Sequence, residues 1–276
     1  MSLKISLAQW SLHRAIERGE LRGLDFPRYT AETFGIRGVE LVNTLLERHD
    51  DASLAEMRRQ ADDSGAPVLL VMVDDEGDLC AAEESARRDA VDRHRRWIDR
   101  TAGLGARAMR VNTGAEETVA WNTPLEHPEL ARALDACADS CAALCEHALG
   151  AQIDVLLENH GGLSSNMPAM VEICRRLRGR NFGTLPDFGN CPEGADAYAN
   201  VDAMMPFARA VSAKCLDFDA DGDETSIDFA RMLRIARSHD YDGWFGIEYE
   251  GDRLSEPDGV HACRQLLQRL SDLHAS

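Results

Sequence analysis

The sequence predicts an α/β protein of the (β/α)8 barrel class, and three observations carry that expectation. Eight short aliphatic or β-branched runs recur along the 276 residues. Longer stretches of helical periodicity separate them, several closing on Gly as helix C-termini do. The runs recur at the spacing of strand–helix units from one end of the chain to the other. Eight such units in a chain of this size suit a TIM barrel better than an open doubly wound sheet, which stays the alternative because periodicity does not show closure. No low-complexity linker divides the chain, so residues 1–276 read as a single domain.

Taken in order, the runs are "KISLAQW", "IRGVELVN", "APVLLVMVD", "ARAMRVNTG", "IDVLLENHGG", "NFGTLPDFGN", "AVSAKCLDFD" and "GWFGIEYEG". Between them lie helical patterns such as "DASLAEMRRQADDSG", "AEESARRDAVDRHRRWIDRTAGLG" and "SIDFARMLRIARSHDY". In a barrel, chemistry sits at the C-terminal ends of the strands, so those ends should be polar. The first ends near Trp10, Ser11 and His13, the second at Glu40 and Asn43, and the third at Asp74. The fourth carries Arg110 and Asn112, the fifth Glu158 and His160, and the sixth Asp187 and Asn190. The seventh supplies Lys214 and Asp217, and the eighth Glu248 and Glu250. Alternation puts Glu158 with His160, Ser212 with Lys214, and Glu248 with Glu250 on shared faces.

Composition narrows the partners. With 48 acids against 30 bases the formal charge is −18, and Asp89, Asp92 and Asp99 interrupt the densest basic stretch, so no nucleic-acid partner is expected. No segment has the uninterrupted apolar length of a membrane span, and the N-terminus lacks the apolar core of a secretory signal. No membrane partner and a cytoplasmic location are therefore expected. Eight scattered cysteines form no disulfide framework; Cys137, Cys141 and Cys145, spaced by four, read as small residues packed against a sheet. No phosphate-cradling Gly-rich fingerprint occurs, so no nucleotide cofactor is expected, and no Gly-x-Ser-x-Gly elbow points to a serine hydrolase. Asp217 and Asp219 in "LDFDADG" read as loop-shaping residues.

The segments "ENHGGLSSN", "LPDFGN", "VSAKCLDFDADG" and "GIEYEG" resemble the xylose isomerase-like TIM-barrel superfamily, the sugar phosphate isomerase/epimerase group. The resemblance covers essentially the whole chain. It implies a barrel that binds a small polyol or keto-sugar, with a divalent metal held by strand-end acids and a histidine. By position it assigns metal binding to Glu158, Asp187 and Glu248, with manganese or magnesium expected and zinc or cobalt as alternatives. Asn190 stands where epimerases commonly have a histidine. The seventh strand also departs: Ser212 stands where many relatives place a metal-binding histidine, followed by Lys214. A hydroxyl is a poor substitute for imidazole, and an ammonium beside a dication is unfavourable unless acids intervene. A metal-free site, with Lys214 neutralising the acids, is the other reading. The DNA-repair endonuclease branch of the same barrel needs a histidine-rich zinc cluster and a basic face, and the sequence has neither.

Isomerising a keto-sugar requires a base for a proton beside a carbonyl, an acid to return it, and positive charge for the oxyanion. Glu158, Glu248 and Lys214 are the catalytic candidates. Trp10, His13, Glu40, Asp74, Arg110, Asn112, His160 and Asn190 are the substrate-binding candidates. Simpler roles compete: core packing for Trp10, an ion pair with a strand-end acid for Arg110, a loop carbonyl for either histidine. The expected activity is a sugar isomerase or epimerase acting on a small, unphosphorylated sugar, in a homodimer or homotetramer. A keto-sugar or inosose-type dehydratase and a catalytically silent sugar-binding barrel are the alternatives.

Overall fold

Parallel strands covered by helices are buried on both faces and read as near-continuous apolar runs. Val68–Val73, "VLLVMV", is such a run, with five of its six residues buried. In the computed structural model, which describes residues 3–114 and 119–272, eight runs form strands. They are β1 (Lys4–Ala8), β2 (Val39–Val42), β3 (Val68–Val73), β4 (Ala108–Val111), β5 (Asp154–Glu158), β6 (Phe182–Leu185), β7 (Val211–Cys215) and β8 (Trp244–Tyr249). Their order is β6-β5-β4-β3-β2-β1-β8-β7, with every neighbouring pair parallel. The two ends of that order meet through parallel bridges Thr184–Ala208 and Asp187–Ser212. The α/β barrel is thus the observed architecture, and its loosest seam runs beside Asp187 and Ser212.

Helices follow the strands around the outside. Short polar side chains start several of them by accepting from unpaired first-turn amides, as N-caps do. Asp50 accepts from Ser53 N, Asn166 from Ala169 N, and Asp228 from Arg231 N. Gly65, at φ 66°, ends the helix Asp51–Ser64 in the left-handed conformation that glycine adopts at least cost. Glu256, at the start of the last helix, is buried and accepts from the amides of Arg14 and Ala15, tying the chain's end to its beginning.

Register sets which side chains face the barrel axis. Met72 and Arg110 are partners on β3 and β4, and Lys214 and Glu248 are partners on β7 and β8. Alternation from these positions places Ser6, Glu40, Leu70, Leu156, Ser212 and Gly246 on the same inward side, deeper in the barrel. Cys137, Cys141 and Cys145 are buried on the helix Pro128–Leu149, as the packing reading expects. Asp219 accepts from the amides of Asp221 and Asp223, which makes it a loop-shaping residue. No described helix is long and apolar enough to cross a membrane.

Candidate active site

A cavity of about 310 Å³ opens at the C-terminal ends of the strands. Trp10, Asp74, Arg110, Asn112, His160 and Glu248 line it, all six foreseen from strand-end position. Glu250 and Thr44 line it too, and neither was singled out as a site residue. Glu250 was placed on the face of Glu248 by alternation but left out of the binding candidates.

One cation–acid cluster stands on β3 to β5. Arg110 Nη1 donates to Asp74 Oδ1 at 2.5 Å and to the Val73 carbonyl at 3.3 Å. Its Nε lies 2.8 Å from Glu158 Oε2, close but not aligned as a hydrogen bond. Arg110 and Glu158 are 4% and 1% exposed at their side chains, so the charges interact without water between them. Burial pushes the Glu158 carboxyl up to about 8 against the pull of Arg110, with Asp187 and Glu248 adding to the rise. Burial raises Asp74 as well, yet the charge and hydrogen bond of Arg110 outweigh it and hold that carboxyl below its ordinary value. Asn112 Nδ2 also donates to Asp74. His160 is held below the usual imidazole range by burial and by Arg110, so it is a neutral ring at the cavity wall.

A second cluster stands on β7, β8 and the loop after β6. Lys214 Nζ lies 3.0 Å from Glu248 Oε1, 3.3 Å from Glu250 Oε2 and 4.0 Å from Asp187 Oδ2. Burial opposes its charge, but Asp187, Glu248, Glu250 and Glu158 together hold it above the usual amine range as an ammonium. It also donates to Asn190 Oδ1 at 3.0 Å, while Asn190 Nδ2 donates to Glu158 Oε1 at 3.1 Å. Two hydrogen bonds and an ion pair therefore connect Glu158 through Asn190 and Lys214 to Glu248. Asp187 builds this arrangement: its Oδ1 accepts from the amides of Gly189 and Asn190, folding "DFGN" into a tight turn.

Five of the catalytic and substrate-binding candidates do not line the cavity, and position explains each. Glu40 is not at the mouth: β2 continues to Val42, so Glu40 lies two residues deeper, 1% exposed, receiving a hydrogen bond from Ser6 Oγ. Burial pushes its carboxyl up to about 7, against the Ser6 bond, with Glu248 adding to the rise. His13 does not line the cavity; its ring stacks on Trp10 at 4.5 Å and its Nδ1 donates to the Trp10 carbonyl, so it props the indole. Asn190 spends its amide on Glu158 and Lys214 and links them, outside the cavity wall. Glu158 and Lys214 likewise stand one contact behind that wall, against Arg110 and Glu248. Arg110 makes the acid pair that was its alternative reading.

The sequence model of the family described as "Xylose isomerase-like TIM barrel" matches residues 29–271. The chain belongs to that family. Among solved structures, the barrel is similar to apo 3-keto-D-glucoside 4-epimerase from E. coli, at TM-score 0.70 and 17% identity over 96% of this chain and 100% of that one. It is similar to a D-tagatose 3-epimerase-like protein at TM-score 0.72 and 16% identity, over 98% of both chains. It is also similar to a xylose isomerase-like TIM barrel protein from Mycobacterium smegmatis in complex with magnesium, at TM-score 0.64 and 18% identity over 90% and 88%. No curated protein matches the chain. At these identities the likeness establishes the fold, and this xylose isomerase-like barrel must supply its chemistry from its own residues.

The divalent metal that the resemblance implies does not fit the residues present. Glu158, Asp187 and Glu248 do not meet as one ligand set; among the described residues no three acidic, histidine or cysteine side chains do. The space between them holds the Lys214 ammonium, and Glu158 faces the Arg110 guanidinium. Asp187 has spent one oxygen on its turn, and the remaining position is the hydroxyl of Ser212. Asp187 Oδ2 and Ser212 Oγ carry no hydrogen bond, but a dication reaching them would meet two buried cations at short range and compete with Lys214 for Glu248.

Proposed function

We propose that this family member is a carbohydrate isomerase or epimerase that moves a proton next to a carbonyl, with Glu158 and Glu248 as the acid–base pair. The observation that carries the reading is the chain Glu158–Asn190–Lys214–Glu248, which links a carboxyl group on β5, behind the cavity wall, to one on β8 that lines it. Two carboxyls serve such a reaction when their environments differ. Glu158, pushed up to about 8, holds a proton near neutral pH, whereas Glu248 stands at the cavity wall beside a fixed ammonium. Glu248, at the cavity wall, is thus placed to accept the substrate proton, and Glu158, one contact behind the wall, is the proton-bearing carboxyl assigned to return one. The C–H electron pair moves into a carbon–carbon double bond as the carbonyl pair moves onto oxygen, where Arg110 and Lys214 supply positive charge. Asp74, Asn112 and His160 offer both donors and acceptors to sugar hydroxyls, and Trp10 offers a flat apolar surface to the ring.

Keto-sugars incubated with the protein in deuterated water test the reading. The expected result is deuterium at the carbon beside the carbonyl, a stereoisomeric or positional-isomeric product, and a loss of about 10³-fold in Glu158→Gln. Release of water with the deuterium exchange would reassign the chain to the dehydratases. Exchange undiminished in both Glu158→Gln and Glu248→Gln would overturn the carboxylate pair.

A further inference from the structure

We infer that Lys214 is the resident cation of this site: its ammonium takes the place of a divalent metal ion and makes the reaction independent of one. This deepens the isomerase reading and rests on it for the chemistry, though the ion-binding claim stands separately.

Two independent observations support the exchange of a metal for a lysine. The first is where the charge sits. Lys214 Nζ has three donors and meets Asn190 Oδ1 at 3.0 Å, Glu248 Oε1 at 3.0 Å and Glu250 Oε2 at 3.3 Å, with Asp187 Oδ2 at 4.0 Å. These acids come from two separate segments, the loop after β6 and the end of β8, and one ammonium compensates them from the middle. The second is the room made for it. A Cβ on Gly189 would lie 2.8 Å from Lys214 Cδ and 2.9 Å from its Cγ, so the loop "DFGN" accepts the lysine stem only because that residue is glycine. Asp187 holds the same loop by bonding the Gly189 and Asn190 amides, so an acid that would ligate a metal instead shapes the bed of the lysine.

The partners of Lys214 also suit it to act. All are side-chain oxygens, and two of them, Glu248 and Glu250, line the cavity. When Glu248 removes the substrate proton, the electron pair released onto the carbonyl oxygen makes an oxyanion. Lys214 exchanges its 3.3 Å contact with Glu250, which lines the cavity, for that oxygen and keeps its own proton throughout. The proton then returns to carbon and the carbonyl re-forms, so neither metal nor redox partner enters the balance.

The full-length protein as purified is the test object. Wild type is expected to carry far less than one divalent ion per chain by elemental analysis, and to bind manganese more weakly than about 1 mM by titration calorimetry. Its deuterium exchange with a keto-sugar is expected to survive exhaustive chelation and to gain nothing from added manganese or magnesium. Lys214→Met, checked for folding by circular dichroism, should lose about 10²- to 10³-fold in exchange and bind manganese roughly 100-fold more tightly than wild type. Lys214→Arg keeps the charge, and is expected to retain the weak manganese binding of wild type. A stoichiometric ion in wild type, activity abolished by chelation and restored by metal, or a folded Lys214→Met that binds manganese no better than wild type would each overturn the inference. If no keto-sugar exchanges under any condition, the isomerase reading fails, while the manganese titrations still decide the place of the lysine.

Discussion

Two buried cations stand three strands apart at the barrel mouth, and they are held differently. Arg110 on β4 is bonded to Asp74 and to the main-chain carbonyl of Val73, with Glu158 pressed against its Nε. Lys214 on β7 touches only side chains, those of Asn190, Glu248 and Glu250. A guanidinium fork bonded to backbone is part of the frame, whereas a point charge on a four-carbon stem can trade one oxygen for another. The contrast separates a cation fixed to the frame of the site from one whose contacts suit the part in the reaction proposed for it. Deeper in the barrel Glu40 supplies a control: a buried carboxyl with a serine for a partner and no cation, which burial pushes up to about 7.

The largest effect is expected where the framing cation is removed. Arg110→Ala leaves Asp74 without its counter-charge, and Glu158 too once pH rises past about 8, and should cost about 3–5 kcal/mol of stability, read by urea denaturation. Arg110→Lys should recover only part, because a single ammonium cannot reproduce the fork. A cost below about 1 kcal/mol would remove the distinction between frame and actor.

Glu40 gives the next largest effect, through pH. Folded, its carboxyl titrates at about 7, against an ordinary value of 4.5, so the native state binds the extra proton between those limits. Stability should therefore fall as pH rises from about 4.5 through about 7, by on the order of 3 kcal/mol. Glu40→Gln should reduce that slope in thermal melts taken across the window, leaving the part that Glu158, raised to about 8, contributes with the same sign. An unchanged slope would show that another group carries it.

The smallest effect sharpens the role of the lysine's bed. Gly189→Ala should displace the Lys214 stem at a cost of about 1–3 kcal/mol, with a greater loss in exchange than an equal destabilisation elsewhere produces. Full exchange in a folded Gly189→Ala protein would mean that the lysine needs no such bed.

The strands were legible because their signal is local. "VLLVMV" is apolar on both faces whatever lies beside it, and the polar residues that end Asp74, Arg110, Asn112 and His160's strands fall at the mouth because a strand's end is its sequence end. Glu40 was misplaced because it was counted with the end of "IRGVELVN" beside Asn43, although two more residues of strand follow it and lower its side chain by one inward layer. His13 was misplaced because a 3-10 turn, Gln9–Leu12, follows β1 and carries it beside Trp10. The departure on the seventh strand, Ser212 with Lys214, was visible at once, but not what it meant.

The sequence by itself determined the number of strands, their alternation with helices, and which acids and cations stand near a strand's end, since each depends on neighbours a few residues apart. Only the tertiary structure decided that Lys214 lies between Glu248 and Asn190, that Gly189 makes space for it, and that Glu40 lies deeper in the barrel. Those facts depend on register between strands and on how the last pair meets at the seam, and contacts that long in sequence are written in no single stretch of it.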